Sequence, residues 1–163
     1  VAELRASVVE VAQSYFALPD THQRLHVHVG DGSSFIQQTP PTPWDLVLLD
    51  LHTSEGMSPV VLVHDFLPAC RRHTAAAGVL AANLWYGIDR IAERRVRQLL
   101  ESCFAHVLYL PVAGKHNCIA LGLPRQQLPE WRELEARAED WKTRADLPLP
   151  ELLQDLARRN PLR

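Results

Sequence analysis

Acidic side chains stand at three positions where an apolar, strand-like segment gives way to a turn. Glu3 precedes a helical pattern, Asp31 stands between two glycines, and Asp50 closes a nearly continuous apolar run. A carboxylate in such a place can accept the hydroxyls of a ribose or the exocyclic amine of an adenine. These residue types therefore indicate a nucleoside site, if the fold brings them together.

Each carboxylate also has a purely structural interpretation. Glu3 can be an exposed charge before a helix, and Asp31 can cap the N–H groups of a helix start without any ligand. Asp50 ends an apolar strand, where an unpaired buried charge is costly, so it needs a partner or a cap. His52 follows in a polar loop and can act as a base near neutral pH, or it can simply be solvated.

Metal and disulfide chemistry have weaker support. His26 and His28 point to the same face of a predicted strand, but no third ligand is evident, so we expect no metal and interpret both as packed or solvated. Cys70, Cys103 and Cys118 stand singly, without the paired spacing of a zinc or redox site. We interpret them as reduced thiols of a cytoplasmic protein.

Composition limits the classes of partner. The 163 residues are enough for one domain, and 47% hydrophobic with 22% charged residues is ordinary for a globular core. Because the formal charge is only -2, no global field attracts the chain to nucleic acid or to an anionic membrane. We expect a small molecule or a protein as partner, no nucleic acid and no membrane, and a homodimer as a further possibility.

The predicted elements alternate between strand and helix. They are a helix over 6–16, a strand over 25–29, a short helix near Phe35, a strand over 44–50, a helix over 60–72, a strand over 78–84, a helix over 88–103, an antiparallel hairpin of strands 106–111 and 117–122, and helices over 129–144 and 150–159. The apolar strand over 44–50 predicts helices on both of its faces. This order predicts an α/β, Rossmann-like, mostly parallel sheet with a reversed last strand, flanked by helices. We expect residues 1–124 to form the α/β domain and 125–163 a C-terminal helical extension.

Taken in order, these segments resemble the spermidine and spermine synthases, the polyamine aminopropyltransferase family with a class I methyltransferase-like fold. The similarity extends from Val1 to Leu123 and is borne by Glu3-Leu4-Arg5 with the helix after it, Tyr15-Phe16-Ala17-Leu18-Pro19, Val29-Gly30-Asp31-Gly32 and Trp44-Asp45-Leu46-Val47-Leu48-Leu49-Asp50. The resemblance implies S-adenosylmethionine or decarboxylated S-adenosylmethionine as co-substrate, with no metal.

The resemblance also implies roles for single residues. Glu3 would hold the ribose of the donor, Asp31 the adenine, and Asp50 the region where an amine meets the carbon beside the sulfonium. We expect the cofactor-binding residues to be Glu3, Leu4, Asp31, Gly32, Asp50 and Leu51. We expect the catalytic residues to be Asp50 and His52, of which His52 is chosen for its place in the polar loop after the strand.

Two departures from the family pattern change what we expect. Thr53 stands where spermidine synthases have a second aspartate, so a carboxylate that clamps a diamine is missing, and Glu55 is a nearby substitute. The family's glycine-rich first strand, between the strand ending at Glu3 and the one ending at Asp50, is absent from the sequence. We expect an N-terminally truncated piece, inactive by itself, whose interrupted sheet is filled by upstream residues or by a partner chain.

The leading hypothesis is a spermidine-synthase-like transferase that moves an aminopropyl or methyl group to an amine-type acceptor. The alternative is a non-catalytic relative that serves as a binding or assembly module through the helical tail beyond Pro129, with Trp131 and Trp141 as anchors. A nicotinamide-dependent dehydrogenase shares the fold plan, but it would need a GxGxxG motif that the sequence lacks.

Overall fold

The structure is a computed structural model that describes residues 1–19, 24–40, 42–54, 56–85 and 90–161. The chain forms two compact units, Val1–Thr42 and Pro43–Arg163. Within the described residues, none of the helices has the length and apolar character needed to cross a bilayer. The division expected between residues 1–124 and 125–163 stays a prediction.

The first unit combines two short parallel strands with two helices. Its elements are β1 (Ala2–Glu3), α1 (Ala6–Tyr15), β2 (His28–Val29) and α2 (Gly32–Gln38). Ala2 pairs with His28 and Glu3 pairs with Val29. The strand predicted over 25–29 is shorter than expected, because β1 offers it only two residues to pair with.

The second unit contains a mixed sheet of four strands. Its elements are β3 (Trp44–Leu49), β4 (His52–Thr53), β5 (Gly56–Met57), a 3-10 turn (Pro59–Leu62), α3 (Phe66–His73), β6 (Thr74–Trp85), α4 (Arg90–Cys103), β7 (His106–Pro111), β8 (Asn117–Leu123), α5 (Trp131–Ala145) and α6 (Leu149–Arg159). The strand order is β3-β6-β8-β7, with β3 parallel to β6 and β8 antiparallel to both of its neighbours. The predicted α/β class, the reversed last strand and the C-terminal helical pair are confirmed.

The described strands form three sheets: β1 with β2, the four-stranded sheet of β3, β6, β8 and β7, and β4 with β5. The interrupted order that the sequence predicts, with a strand missing between the one ending at Glu3 and the one ending at Asp50, stays a prediction.

The core of the second unit lies between its sheet and helices α3 and α4. Burial alternates along β6, where Leu80, Ala82 and Leu84 are buried, because successive residues of a strand point to opposite faces. Phe66 of α3 and Leu100 of α4 are also buried. A large apolar side chain buried in this way contributes about 1.5–3 kcal/mol relative to an exposed one.

One face of β3 is open, contrary to the prediction of helices on both faces. Val47 is 6% exposed, whereas Leu46 and Leu48 are 54% and 69% exposed. Since Leu46 and Leu48 point away from the face that buries Val47, the strand is covered on one side only. The prediction is wrong on this point because an apolar run indicates that both faces of the strand are hydrophobic, but it does not indicate which helices pack on each face.

The single helix predicted over 60–72 is two elements, the 3-10 turn and α3. Pro68 lies in the first turn of α3, and it has no N–H to donate to the carbonyl of His64. A continuous helix through this point would lose that bond and clash with the proline ring, so α3 starts at Phe66.

Candidate functional site

A carboxylate–imidazole pair lies at the carboxyl end of β3. Asp50 follows the last residue of β3, and its Oδ1 lies 3.0 Å from Nε2 of His52 in β4. The Asp50 side chain is 73% exposed and that of His52 is 26% exposed. The structure thus brings together the two residues that the sequence marks as candidate catalytic groups.

Two carboxamides continue this pair across the sheet. Asn83 Nδ2 donates to Asp50 Oδ1 at 2.9 Å, and Asn117 Nδ2 donates to Asn83 Oδ1 at 3.0 Å. The polar contacts therefore run from His52 on β4 through Asp50 and Asn83 to Asn117 on β8. Sequence reasoning does not single out either asparagine; the available signal was a polar residue inside or at the end of an otherwise apolar strand.

Strand register explains why residues so far apart in sequence meet. The parallel register of β3 and β6, continued by one residue, places Asp50 beside Asn83. In the antiparallel pair of β6 and β8, Trp85 lies opposite Asn117. Since Asn83 and Trp85 point to the same face, Asn117 is the diagonal neighbour of Asn83. The site depends on strand pairing rather than on a local motif.

A small hairpin holds His52 where the sequence predicts a polar loop. β4 and β5 pair antiparallel, His52 with Met57 and Thr53 with Gly56. Gly56 has a φ of +140°, a backbone conformation that favours glycine. Thr53, at the position of the family's second aspartate, donates its hydroxyl to the Gly56 carbonyl at 3.3 Å and brings no negative charge. Glu55, the substitute considered from the sequence, lies outside the described residues.

In the first unit, Asp31 caps α2. Its Oδ1 accepts the backbone N–H of Ser34 at 2.7 Å and the hydroxyl of Ser34 at 2.8 Å. The backbone bond first, and then the hydroxyl bond, hold the pKa of the Asp31 carboxyl below its ordinary value. Gly32 is the first residue of the helix. The capping interpretation is therefore observed, and a role of Asp31 toward adenine stays a prediction.

Glu3, also in the first unit, is engaged by its own loop. Its Oε1 accepts the backbone N–H of Arg5 at 3.0 Å, and Arg5 Nε lies 3.9 Å from the same oxygen. The neighbouring Leu4 is 67% exposed, while Leu51 in the second unit is half-buried. A ribose-binding role for Glu3 stays a prediction.

In the first unit, His28 contacts an aromatic ring, and the absence of a metal stays a prediction. The ring of His28 packs on that of Phe35, with centroids 4.8 Å apart and planes tilted by 32°. Among the residues that the structure describes, no group of three His, Cys, Asp or Glu side chains is placed to hold a metal ion.

Comparison with known proteins identifies distant relatives. No family model matches the chain. Spermidine synthase 1 of Hyoscyamus niger is 27% identical over 99 residues, which cover 57% of this chain and 31% of that protein. The match therefore spans about a third of the length of this curated relative.

Solved structures show the fold. Human methyltransferase-like protein 13, determined in complex with SAH, matches with a TM-score of 0.73 at 22% identity, covering 99% of this chain and 72% of that one. A probable spermidine synthase from Corynebacterium glutamicum matches with a TM-score of 0.69 at 18% identity, covering 100% of this chain and 63% of that one. The chain is thus similar in sequence to spermidine synthases, and it has the class I methyltransferase-like fold of these proteins.

Proposed function

We propose that this protein is a transferase that moves a methyl or aminopropyl group from S-adenosylmethionine, or from its decarboxylated form, to an amine-type acceptor. The observation that carries the proposal is the Asp50–His52 pair at the carboxyl end of β3, since ligands of such α/β sheets lie beyond the carboxyl ends of the strands. The likeness to a spermidine synthase and to a methyltransferase-like protein solved with SAH supports the donor class.

The transfer needs a base and a negative charge, and the pair supplies both. The lone pair of the amine attacks the carbon attached to the sulfonium, the carbon–sulfur bond breaks with its electrons on sulfur, and the new ammonium loses a proton. Asp50 stabilises the positive charge that forms on nitrogen, and His52 accepts the proton. At 3.0 Å, Asp50 also stabilises the imidazolium that results.

In this proposal Glu3 binds the ribose of the donor and Asp31 its adenine, with Leu4, Gly32 and Leu51 in contact with the donor. The lowered pKa of Asp31 supports its role as an acceptor, because the carboxylate is ionised throughout the neutral range. The stabilisation from an aspartate with a depressed pKa is present above its unfolded-state pKa and is lost as pH falls through the folded-state value. Acid therefore weakens both the cap on α2 and the proposed contact.

The neutral side chain of Thr53 affects which amine can act as the acceptor. A diamine carries a second positive charge that a second carboxylate would hold, and Thr53 is neutral at that position. This favours an acceptor with a single amine near the reacting carbon. The choice between methyl and aminopropyl transfer depends on the donor, because intact S-adenosylmethionine has a carboxylate that needs hydrogen-bond donors.

Isothermal titration calorimetry of the full-length protein with each of the two donors tests the proposal. We expect one donor to bind, and Glu3→Gln to weaken its binding about tenfold, which is about 1.4 kcal/mol for one charge-assisted hydrogen bond. Glu10→Gln, a change of the same kind at an exposed residue of α1, is the matched control and leaves the affinity unchanged. Binding of neither donor would contradict the proposal.

The second candidate function is a binding or assembly module. Trp141 of α5 is 50% exposed, and exposed aromatic side chains are enriched where proteins associate. Trp131, the other anchor that the sequence suggests, is half-buried. The same calorimetry separates the two functions, because a module of this kind binds neither donor.

We further assign the protein to the cytoplasm. Its cysteines are free thiols, and Cys70 and Cys118 are buried. Burial raises the pKa of the Cys70 thiol to about 12, so it stays protonated and unreactive. Unpaired thiols of this kind fit a reducing compartment.

A further inference from the structure

We propose that Asn83 and Asn117 position the Asp50–His52 pair so that His52 carries its proton on Nε2 and presents Nδ1 as the basic atom. The arrangement of protons is a property of the free protein. The catalytic use of Nδ1 rests on the proposed function. Asn83 and Asn117 are therefore positioning residues, which act through Asp50.

The orientation of the two amides follows from the chemistry of the carboxylate. An ionised carboxylate only accepts hydrogen bonds, so the Asn83 atom 2.9 Å from Asp50 Oδ1 belongs to its NH2 group. The carbonyl oxygen of Asn83 then faces Asn117 at 3.0 Å, and Asn117 must supply its own NH2 group. The assignment thus proceeds from Asp50 to Asn83 and then to Asn117. The physical support runs the other way, because Asn117 orients the amide of Asn83 and Asn83 orients the carboxylate of Asp50.

The same reasoning assigns the histidine tautomer. Nε2 of His52 lies 3.0 Å from the Oδ1 atom that accepts from Asn83. An unprotonated Nε2 would place its lone pair 3.0 Å from this negatively charged oxygen, so we infer that Nε2 carries a proton. In a neutral imidazole the second nitrogen is then an acceptor, so His52 takes up a further proton through Nδ1.

The side chains of Asn117, Asn83, Asp50 and His52, which we call the relay, connect an exposed carboxylate to the centre of the sheet. Asp50 is 73% exposed, and a side chain in water can change rotamer unless a neighbour holds it. Asn83 is half-buried on β6, which pairs with β3 on one side and β8 on the other. The backbone of a central strand is among the most rigid supports that a domain offers, so Asn83 can hold Asp50 in one orientation.

This arrangement specifies the acceptor further. A base at Nδ1 is useful only if the acceptor nitrogen has a proton to lose, which selects a primary or secondary amine over a tertiary amine or a thioether. The amine lone pair forms the new carbon–nitrogen bond, sulfur keeps the electron pair of the broken bond, and the proton moves from nitrogen to Nδ1 of His52.

Proton NMR of the His52 ring in the free protein tests the relay. In the neutral form of the ring, we expect a proton on Nε2 that exchanges slowly with water. His52→Gln assigns this signal by removing it. Asn83→Leu removes the donor with little change in size, and we expect exchange to become about tenfold faster, the effect of one hydrogen bond to a charged group.

Asn117→Asp is a second, isosteric variant for the case that Asn83→Leu does not fold. The new carboxylate only accepts, so the Asn83 amide turns its NH2 group toward it and away from Asp50, and we again expect faster exchange. Asn160→Leu is the matched control, because Asn160 binds Tyr109 outside the relay and its loss leaves the His52 signal unchanged. A proton on Nδ1 in the unsubstituted protein, or unchanged exchange in both relay variants, overturns the proposal.

Kinetics distinguish the relay from a merely structural role. With a donor and an amine that the protein accepts, Asn83→Leu lowers kcat and leaves the donor affinity unchanged. If neither donor binds while the exchange results hold, the proposed function fails and the relay stands. If donors bind while exchange is unaffected in both relay variants, the relay alone fails.

Discussion

The two edge strands of the four-stranded sheet, β7 and β3, end the sheet in opposite ways. At β7, the Tyr109 N–H donates to Asn160 Oδ1 at 2.8 Å, and Asn160 Nδ2 donates to the Tyr109 carbonyl at 2.9 Å. At β3, Leu46 and Leu48 are more than half exposed, and in the described part of the chain β6 is the strand with which β3 pairs. Within the described residues, β3 thus ends the sheet without a further paired strand, and it has two exposed leucines on one face.

A side-chain amide can close a strand edge because it has the same donor and acceptor as a peptide group. Asn160, at the end of α6, satisfies both main-chain groups of Tyr109 and so removes one place where another strand could pair. The comparison shows that the C-terminal helical pair has a structural role at β7, whereas Leu46 and Leu48 of β3 stay exposed to solvent.

The largest expected effect comes from breaking the junction of β3 with β6. Gly78 lies where the pairing of these strands shifts register, and a Cβ there would lie 2.8 Å from the Trp44 carbonyl oxygen and 2.9 Å from that of Asp45. Because both atoms are backbone, Gly78→Ala forces the strands apart, and we expect a loss of about 3 kcal/mol in the free energy of unfolding, measured in urea.

Gly114→Asn is the control for this variant. Gly114 has open space around it and a φ of +69°, which asparagine tolerates better than other residues do, so we expect a loss below about 1 kcal/mol. If Gly78→Ala were as stable as the unsubstituted protein, this result would contradict the close contact between Gly78 of β6 and the backbone of β3.

A smaller effect is expected at the closed edge. Asn160→Leu removes the two hydrogen bonds that Asn160 makes with the main-chain N–H and carbonyl of Tyr109, and we expect a loss of about 2 kcal/mol in the free energy of unfolding. The amide proton of Tyr109 should also exchange faster with water, which hydrogen-exchange NMR measures directly. Unchanged protection of that proton would mean that Asn160 does not close the edge.

The smallest effect on stability is expected on the face of β3 that exposes Leu46 and Leu48. Leu48→Lys places a charge where the side chain is already 69% exposed, so we expect a change within about 0.5 kcal/mol in the free energy of unfolding, measured in urea. Val47→Lys is the contrasting variant, because Val47 is 6% exposed and an unpaired charge there is costly. A large loss of stability in Leu48→Lys would show that this face is covered in solution.

Some elements follow directly from local sequence patterns. The helix beginning at Ala6, the antiparallel hairpin of β7 and β8 and the two C-terminal helices lie close to their predicted positions, because periodicity, a short turn and prolines specify them locally. The continuous helix predicted over 60–72 does not form, because Pro68 has no N–H to donate to the carbonyl of His64. The prediction gave the apolar periodicity more weight than this proline.

Burial is less predictable than element type. Leu46 and Leu48 belong to the same apolar run as Val47, and nothing in that run distinguishes the buried residue from the exposed ones. Which face of a strand is covered depends on where distant helices pack, and a hydrophobic pattern along one strand has no information about them.

The sequence by itself determined the order of strands and helices and placed Asp50 and His52 at the end of an apolar strand, because these features depend on neighbours along the chain. Only the tertiary structure decided that Asn83 and Asn117 join them, since Asn83 lies 33 residues from Asp50 and 34 residues from Asn117. Contacts over such separations are set by strand register, which arises when the whole sheet pairs and packs.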